Sequence, residues 1–363
     1  MDPESVDGVE RATHGGTDRD DLLDFSANTN PKTPEGTRGV YEAAFDEARR
    51  YPDDGYSAFR QAAAGFLNRF HGNADTASGD DLPGGIDPGN VVVTPGGLAA
   101  IRLAVSVSVS PGDDVLIPAP SFAEYEREVR LQGGTPDFCQ QSELLGTDPE
   151  PYALAIVCTP NNPTGELPDP DRLREFARRC RRAGTTLLAD EAFLGYLDSP
   201  SLAGTEGVVV ARSLTKLFGL PGIRVGYAVA TGRLRDRLET ARRPWNLSTP
   251  AARVGTHCLT ADRRGDQFVQ ATRESVTSER KRIQKRLSSA FDVVSPPPSE
   301  PSAPYVLFDV SPSRRTVDEV VGTARIRGVA VRDARTFRGL DSHVRVAIKG
   351  ADANDRLLEA LDV

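Results

Sequence analysis

Between Asn90 and Ala230, short β-branched runs alternate with stretches whose apolar residues recur at helical spacing. That pattern predicts a sheet layered by helices. Strands are expected at Val91–Thr94, Asp114–Pro118, Pro136–Cys139, Ala153–Thr159, Thr185–Ala189, Val208–Arg212 and Arg224–Ala230. Helices are expected at Leu98–Val107, Glu124–Gln132, Asp171–Ala183 and Arg233–Arg242. Asp169-Pro170-Asp171 ahead of Leu173, Phe176 and Ala177 reads as a capped helix start, and Gly184 as its stop.

After Pro244 the pattern changes. A long polar stretch, Thr249–Ser289, is predicted helical, followed by a proline-rich surface loop, Ser295–Pro304, and a strand, Tyr305–Val310. The tail then reads as helix Thr316–Arg327, strand Val329–Asp333, strand Val344–Ile348 and helix Ala351–Leu361. These elements predict a second, smaller α+β domain, with a large domain at 40–245 and the small one assembled from 1–39 and 246–363. No internal repeat is present.

Composition narrows the function. No apolar run reaches the roughly 20 residues that cross a bilayer, and Met1–Asp21 is polar and acidic without an export signal's apolar core. A cytoplasmic protein without a membrane partner is expected. The 363 residues carry 52 acidic and 44 basic side chains, a net charge of −8 that argues against binding nucleic acid. The cluster Arg280-Lys281-Arg282 with Lys285-Arg286 is expected to be a solvated helix face. Four scattered cysteines (Cys139, Cys158, Cys180, Cys258) lack metal-ligand spacing, so reduced thiols and no metal are expected. Lysine is scarce: only Lys32, Lys216, Lys281, Lys285 and Lys349 can serve as a catalytic amine. A GC-rich genome and adaptation to high salt both fit that scarcity.

Four segments carry chemistry. Ala211-Arg212-Ser213-Leu214-Thr215-Lys216 follows a predicted strand, and Arg224 follows the lysine by eight residues. An amine fixed beside hydroxyls and a cation suits a carbonyl cofactor with a phosphate, although a Lys and an Arg flanking a surface turn give the same string. Leu188-Ala189-Asp190-Glu191 ends a strand in carboxylates, which can hold a pyridine nitrogen protonated, cap a helix or bind a metal. Cys158-Thr159-Pro160-Asn161-Asn162-Pro163-Thr164-Gly165 is a loop of residues with special dihedral demands, placed directly after a strand. Thr94-Pro95-Gly96-Gly97-Leu98 runs from strand through glycine turn to helix, an arrangement whose free amides bind phosphate.

In order and spacing these segments resemble the fold-type-I, class I and II aminotransferases of the aspartate-aminotransferase superfamily, over almost the whole chain. The resemblance implies an α/β fold with a mostly parallel seven-stranded sheet between helices, and pyridoxal 5′-phosphate as cofactor. Position by position, Lys216 resembles the lysine that holds the cofactor as a Schiff base, Asp190 the partner of the pyridinium nitrogen, and Asn162 the residue bonding the phenolate oxygen. Ser213, Thr215, Arg224 and the Gly97 and Leu98 amides would hold the phosphate, and Phe122 would stack on the ring. Tyr51, in Arg50-Tyr51-Pro52-Asp53, resembles the tyrosine that reaches the neighbouring subunit's cofactor, implying a homodimer. Arg345 resembles the arginine that clamps the substrate α-carboxylate.

Two branches, both acting on small phosphorylated substrates, fit best. His14-Gly15-Gly16, the run Asp24–Pro31 that includes Asn30, and Arg332-Asp333 followed by Thr336–Leu340 resemble threonine-phosphate decarboxylase of cobalamin biosynthesis. Histidinol-phosphate aminotransferases share the Asn-x-Asn-Pro and Tyr-Pro-Asp elements. The first branch makes His14, Gly15, Gly16 and Arg332 candidates for the substrate phosphate, with Asn30 beside them. The chain departs from common family patterns at Phe193, where many relatives carry tyrosine, and at Leu98, Ala99, Pro95 and Lys32-Thr33. A non-enzymatic cofactor-binding regulator is the reading from a different class. The intact set of Lys216, Asp190, Asn162 and Arg345 speaks against it.

Overall fold

A computed structural model describes residues 1–71, 85–260 and 263–363. Seven strands form one sheet, in the order Val91–Thr94, Gly226–Val229, Val208–Ser213, Thr186–Asp190, Leu154–Cys158, Asp114–Ala119 and Thr135–Gln140. Gly226–Val229 is antiparallel to both neighbours and the remaining pairs are parallel. Parallel strands need helices on both faces, and the side chains show it. Along Thr186–Asp190, Leu187 and Ala189 enter one core, while Leu188 enters the other.

The first core also takes in Phe59 and Leu67 of helix Ser57–Phe70, Phe176 of helix Pro170–Ala183 and Val254 of helix Thr249–Leu259. The second takes in Ala104 and Val129, from helices Gly97–Ser108 and Glu124–Leu131. Helix Pro170–Ala183 shows why the sequence was legible here. The Asp169 carboxylate accepts from the Asp171 and Arg172 N–H groups, Pro170 takes a position that needs no donor, and Gly184 closes the helix at φ 82°.

A smaller antiparallel sheet runs Arg332–Asp333, His343–Ala347, Tyr305–Asp309, Asp292–Val293, and Leu23–Asp24 pairs in parallel with Val329–Ala330. Its core gathers Phe25, Ile283, Phe308, Val346 and Leu357.

Four expectations are corrected. The single helix expected over Thr249–Ser289 is two, Thr249–Leu259 and Arg263–Leu287. Thr260 turns extended at φ −63°, ψ 140°, and the part of the expected helix at 261–262 lies outside the described residues. The strand expected over Val329–Asp333 is divided at Val331, with its halves in different sheets. The strand expected from Arg224 starts at Gly226, because Arg224 is left-handed at φ 56°. Arg280 is buried rather than solvated, donating to the carbonyls of Pro296 (3.1 Å) and Glu300.

Candidate active site

Open α/β sheets bind ligands outside the carboxyl ends of their parallel strands. Here those ends surround a cavity of about 380 Å³.

Asp190, the last residue of its strand, is 6 % exposed. The Tyr125 hydroxyl donates to its Oδ2 at 2.6 Å and the Ala192 N–H to its Oδ1 at 3.0 Å. Burial pushes its pKa up, opposed by those two bonds and by the charge of Lys216. A carboxylate held this way favours a cationic partner, which a pyridinium N–H supplies.

Lys216 lies three residues beyond the neighbouring strand end, its Nζ 5.6 Å from the Phe193 ring centre. Burial lowers its pKa to about 8, with Arg345 and Arg224 adding to the effect and Asp190 opposing it. An amine that loses its proton near neutrality is a competent nucleophile toward an aldehyde. Its backbone is pinned: the Tyr196 hydroxyl (2.7 Å) and the Asn30 N–H (3.1 Å) donate to the Lys216 carbonyl. The Asn30 side chain donates to the Leu217 carbonyl at 2.8 Å and lines a separate small pocket. Expected near the substrate, Asn30 instead braces the lysine from behind.

Gly97 and Leu98 open helix Gly97–Ser108, whose N-cap, Gly96, bonds none of the first-turn amides through a side chain. The Ser213 and Thr215 hydroxyls bond each other beside them. Arg224 completes the cup from a left-handed backbone conformation, a strain of about 1–3 kcal/mol of the kind that collects at functional sites. The approach is close: a Cβ on Gly96 would stand 2.9 Å from Arg224 Nη2, and one on Gly97 3.0 Å from Ser213 Cβ. Three donor types, hydroxyl, guanidinium and backbone amide, thus converge where a phosphate would sit, and Phe122 also lines the cavity.

A second cationic region faces the same cavity. Arg345 and Arg332 are paired across neighbouring antiparallel strands, so both side chains leave the sheet on one face. They are 4 % and 7 % exposed, and neither meets a carboxylate among the described residues. Arg345 donates to Asn162 Oδ1 and to the Ser26 carbonyl (2.9 Å), while Arg332 donates to the Thr13 carbonyl and Thr336 Oγ1 (both 2.7 Å). Both Nε atoms are unpartnered. Burial lowers both pKa values, that of Arg345 to about 10. The Phe337 ring lies 5.5 Å from each guanidinium. Since Arg345 takes the Asn162 oxygen, the amide NH₂ is left as the donor.

His14 lies at the rim, its Nε2 2.8 Å from Glu124 Oε1 and its ring 5.6 Å from that of Phe122. Gly15 also lines the cavity, where a Cβ would stand 2.1 Å from the Ser26 carbonyl oxygen. The Gly16 N–H is already engaged by Ser26 Oγ at 2.8 Å. Tyr51 does not line this cavity. It is 78 % exposed and stacks on Trp245 at 4.5 Å.

Sequence reasoning missed Tyr125, Glu124 and Phe337. The first two follow Phe122 within one helical turn, and Phe337 lies inside a quoted motif, but their partners are distant in the chain.

The cup, the near-neutral lysine and the buried carboxylate together fit pyridoxal phosphate, which makes this a pyridoxal-phosphate-dependent enzyme on a fold-type-I scaffold. The chain belongs to the family described as Aminotransferase class I and II, matched over residues 20–361. It is 31 % identical to the threonine-phosphate decarboxylase of Salmonella typhimurium, over 97 % of this chain and 93 % of that one. It is 29 % identical to the histidinol-phosphate aminotransferase of Methanosphaerula palustris, over 98 % and 96 %. The crystal structure of the histidinol-phosphate aminotransferase from Clostridium acetobutylicum shares the fold, with a TM-score of 0.78 at 24 % identity and coverage of 94 % and 98 %.

Proposed function

We propose that this enzyme decarboxylates O-phospho-L-threonine to 1-aminopropan-2-ol phosphate, a step of cobalamin biosynthesis, as a cytoplasmic homodimer. The observation that carries the reading is the buried pair Arg332 and Arg345. Like charges directly opposite each other on a ladder are destabilising, and among the described residues neither arginine forms an ion pair, although the Asp333 charge partly offsets Arg332. A ligand with two anionic groups a few bonds apart relieves the pair. Phosphothreonine carries its carboxylate and its phosphate on adjacent carbons, whereas histidinol phosphate carries a phosphate alone.

In this reading Ser213, Thr215, Arg224 and the Gly97 and Leu98 amides hold the cofactor phosphate, and Phe122 stacks on the ring. Asn162 bonds the phenolate oxygen through its amide NH₂. Bound pyridoxal phosphate supplies an electron sink for the pair released when a bond at Cα breaks. Asp190 keeps a proton on the ring nitrogen, and Lys216 binds the cofactor and afterwards moves protons at its amine. Arg345 holds the substrate carboxylate. Arg332, His14 and the Gly15 amide hold the substrate phosphate, and Glu124 orients the His14 ring. Phe193 brings no hydroxyl to the phenolate side, leaving Asn162 as the donor there. Tyr51 reaches the neighbouring subunit's cofactor in this reading, which its exposure beside Trp245 supports.

Incubation with each phosphorylated substrate tests the reading. Carbon dioxide released from phosphothreonine supports it. Amino transfer between histidinol phosphate and 2-oxoglutarate, without carbon dioxide, gives the reaction to an aminotransferase instead.

A further inference from the structure

The Asp-Glu pair ending the strand Thr186–Asp190 gives one carboxylate to the cavity, while Glu191 does not line it. Arg212 is likewise absent from the cavity, although Ser213 directly after it lines the wall. Pleat alternation turns both residues away from the site. Asp190 pairs with Ala211, so Glu191 and Arg212 occupy the next rung of neighbouring strands. There they meet. Arg212 Nε lies 3.6 Å from Glu191 Oε2, with side chains 5 % and 1 % exposed, and Arg212 Nη1 donates to the Glu191 carbonyl at 3.1 Å. The Glu191 N–H donates to the Ala211 carbonyl at 3.0 Å, closing the ladder at that end. Ser201 Oγ (2.6 Å) and the Leu202 N–H (2.9 Å) donate to the Glu191 carboxylate.

Stability alone does not account for such a pair. A buried ion pair is generally no better than a well-packed apolar one. Here Arg212 Nε and Nη2 also lack hydrogen-bond partners, and burial pushes the Glu191 pKa up against its own charge. What directional bonds provide, and apolar contact does not, is a fixed separation and register. These two strand ends carry the groups that must agree: Asp190 on one, the Ser213–Lys216 turn on the other.

We propose that Glu191 and Arg212 are a positioning pair that locks neighbouring strand ends, so that Asp190 and Lys216 reach opposite ends of one aromatic cofactor ring. The proposal rests on the assignment of Asp190 and Lys216 to pyridoxal phosphate.

The test compares wild-type holoprotein with Glu191→Gln, which removes the charge facing Arg212, and with Ser201→Ala, which removes one bond to the carboxylate and leaves the pair in place. Five quantities are read: cofactor dissociation constant, pH midpoint of the visible cofactor band, kcat, KM and Tm. Misplacing reacting groups by less than an ångström is costly, so Glu191→Gln should weaken cofactor binding and lower kcat by about tenfold each, with KM within about twofold of wild type. The pH midpoint should move as well, and Ser201→Ala should change the same readouts in the same direction by less. A lower Tm in both variants, with cofactor affinity, midpoint and kcat at wild-type values, overturns the proposal and leaves the pair a structural tie. If Glu191→Gln does not fold, Ser201→Ala decides between the same two outcomes. Asp190→Asn separates the underlying assignment: if it leaves cofactor affinity and the pH midpoint unchanged, the assignment of Asp190 fails rather than the pairing.

Discussion

Replacing Arg332 with alanine removes a guanidinium that is buried, forms no ion pair with a carboxylate among the described residues and stands opposite a second arginine. Its structural bonds are two, to the Thr13 carbonyl and the Thr336 hydroxyl, both at residues lining the cavity, where water can replace it. Losing it also relieves the like-charge contact with Arg345, so the fold should tolerate the change. Binding should suffer instead. A hydrogen bond to a charged group contributes about 1.5–3 kcal/mol, so losing the arginine's contact with the substrate phosphate should raise KM roughly ten- to hundredfold. Because that contact is made equally before and during bond breaking, kcat should change little. Steady-state kinetics on phosphothreonine, with carbon dioxide as readout, measure both constants, and the visible spectrum checks that the cofactor site is intact. Arg332→Lys should fall between, keeping the charge but not the planar fork. A KM within about twofold of wild type would refute the assignment. So would an equal loss toward an unphosphorylated amino acid.

Other predictions are independent of the substrate. Borohydride treatment of the holoprotein should fix the pyridoxyl group on Lys216, and peptide mass spectrometry finding it on Lys281 or Lys349 would sink the central assignment. Cofactor capture by apoprotein should quicken as pH rises and level off above about 8, because burial and the nearby arginines favour the neutral Lys216 amine. A flat profile between pH 6 and about 9 would contradict that. Tyr125→Phe removes a 2.6 Å bond that holds the Asp190 pKa down, so that pKa should rise further. With less negative charge to hold the ring proton, kcat should fall by roughly tenfold, and an unchanged kcat counts against Asp190 as the ring partner. Sedimentation should show a dimer, and Tyr51→Phe should weaken cofactor retention; a fully active monomer would remove Tyr51 from the site.

The elements most legible in the sequence were those whose signals are local. Strands such as Val91–Thr94 and Val208–Ser213 announced themselves because burial on both faces demands β-branched runs, and Asp169, Pro170 and Gly184 marked one helix at both ends. The helix Ser57–Phe70 was missed, since no side chain caps its start and Gly65 interrupts its buried face of Phe59, Ala63, Ala64, Phe66 and Leu67. The division of Val329–Asp333 was not legible either, because both halves are extended and only their partners differ. At the site, the residues found were those in short motifs. Tyr125 and Glu124 are defined by partners 65 and 110 residues away, and Asn30 looked like a ligand because sequence does not show which carbonyl its amide faces.

The antiparallel strand Gly226–Val229 has a consequence for the order of assembly. It lies between Val91–Thr94 and Val208–Ser213, so within the sheet those two strands are hydrogen-bonded only through it. A Cβ at Gly226 would stand 2.6 Å from the Arg212 carbonyl oxygen and 2.8 Å from the Gly97 nitrogen, so the insertion admits nothing larger than glycine at its first residue. A ribosome-bound chain that has exposed Lys216 but not yet this strand has no cup to grip a phosphate. Cofactor capture is therefore expected to follow the pairing of this strand with segments distant in the chain, and such non-local pairing is slow.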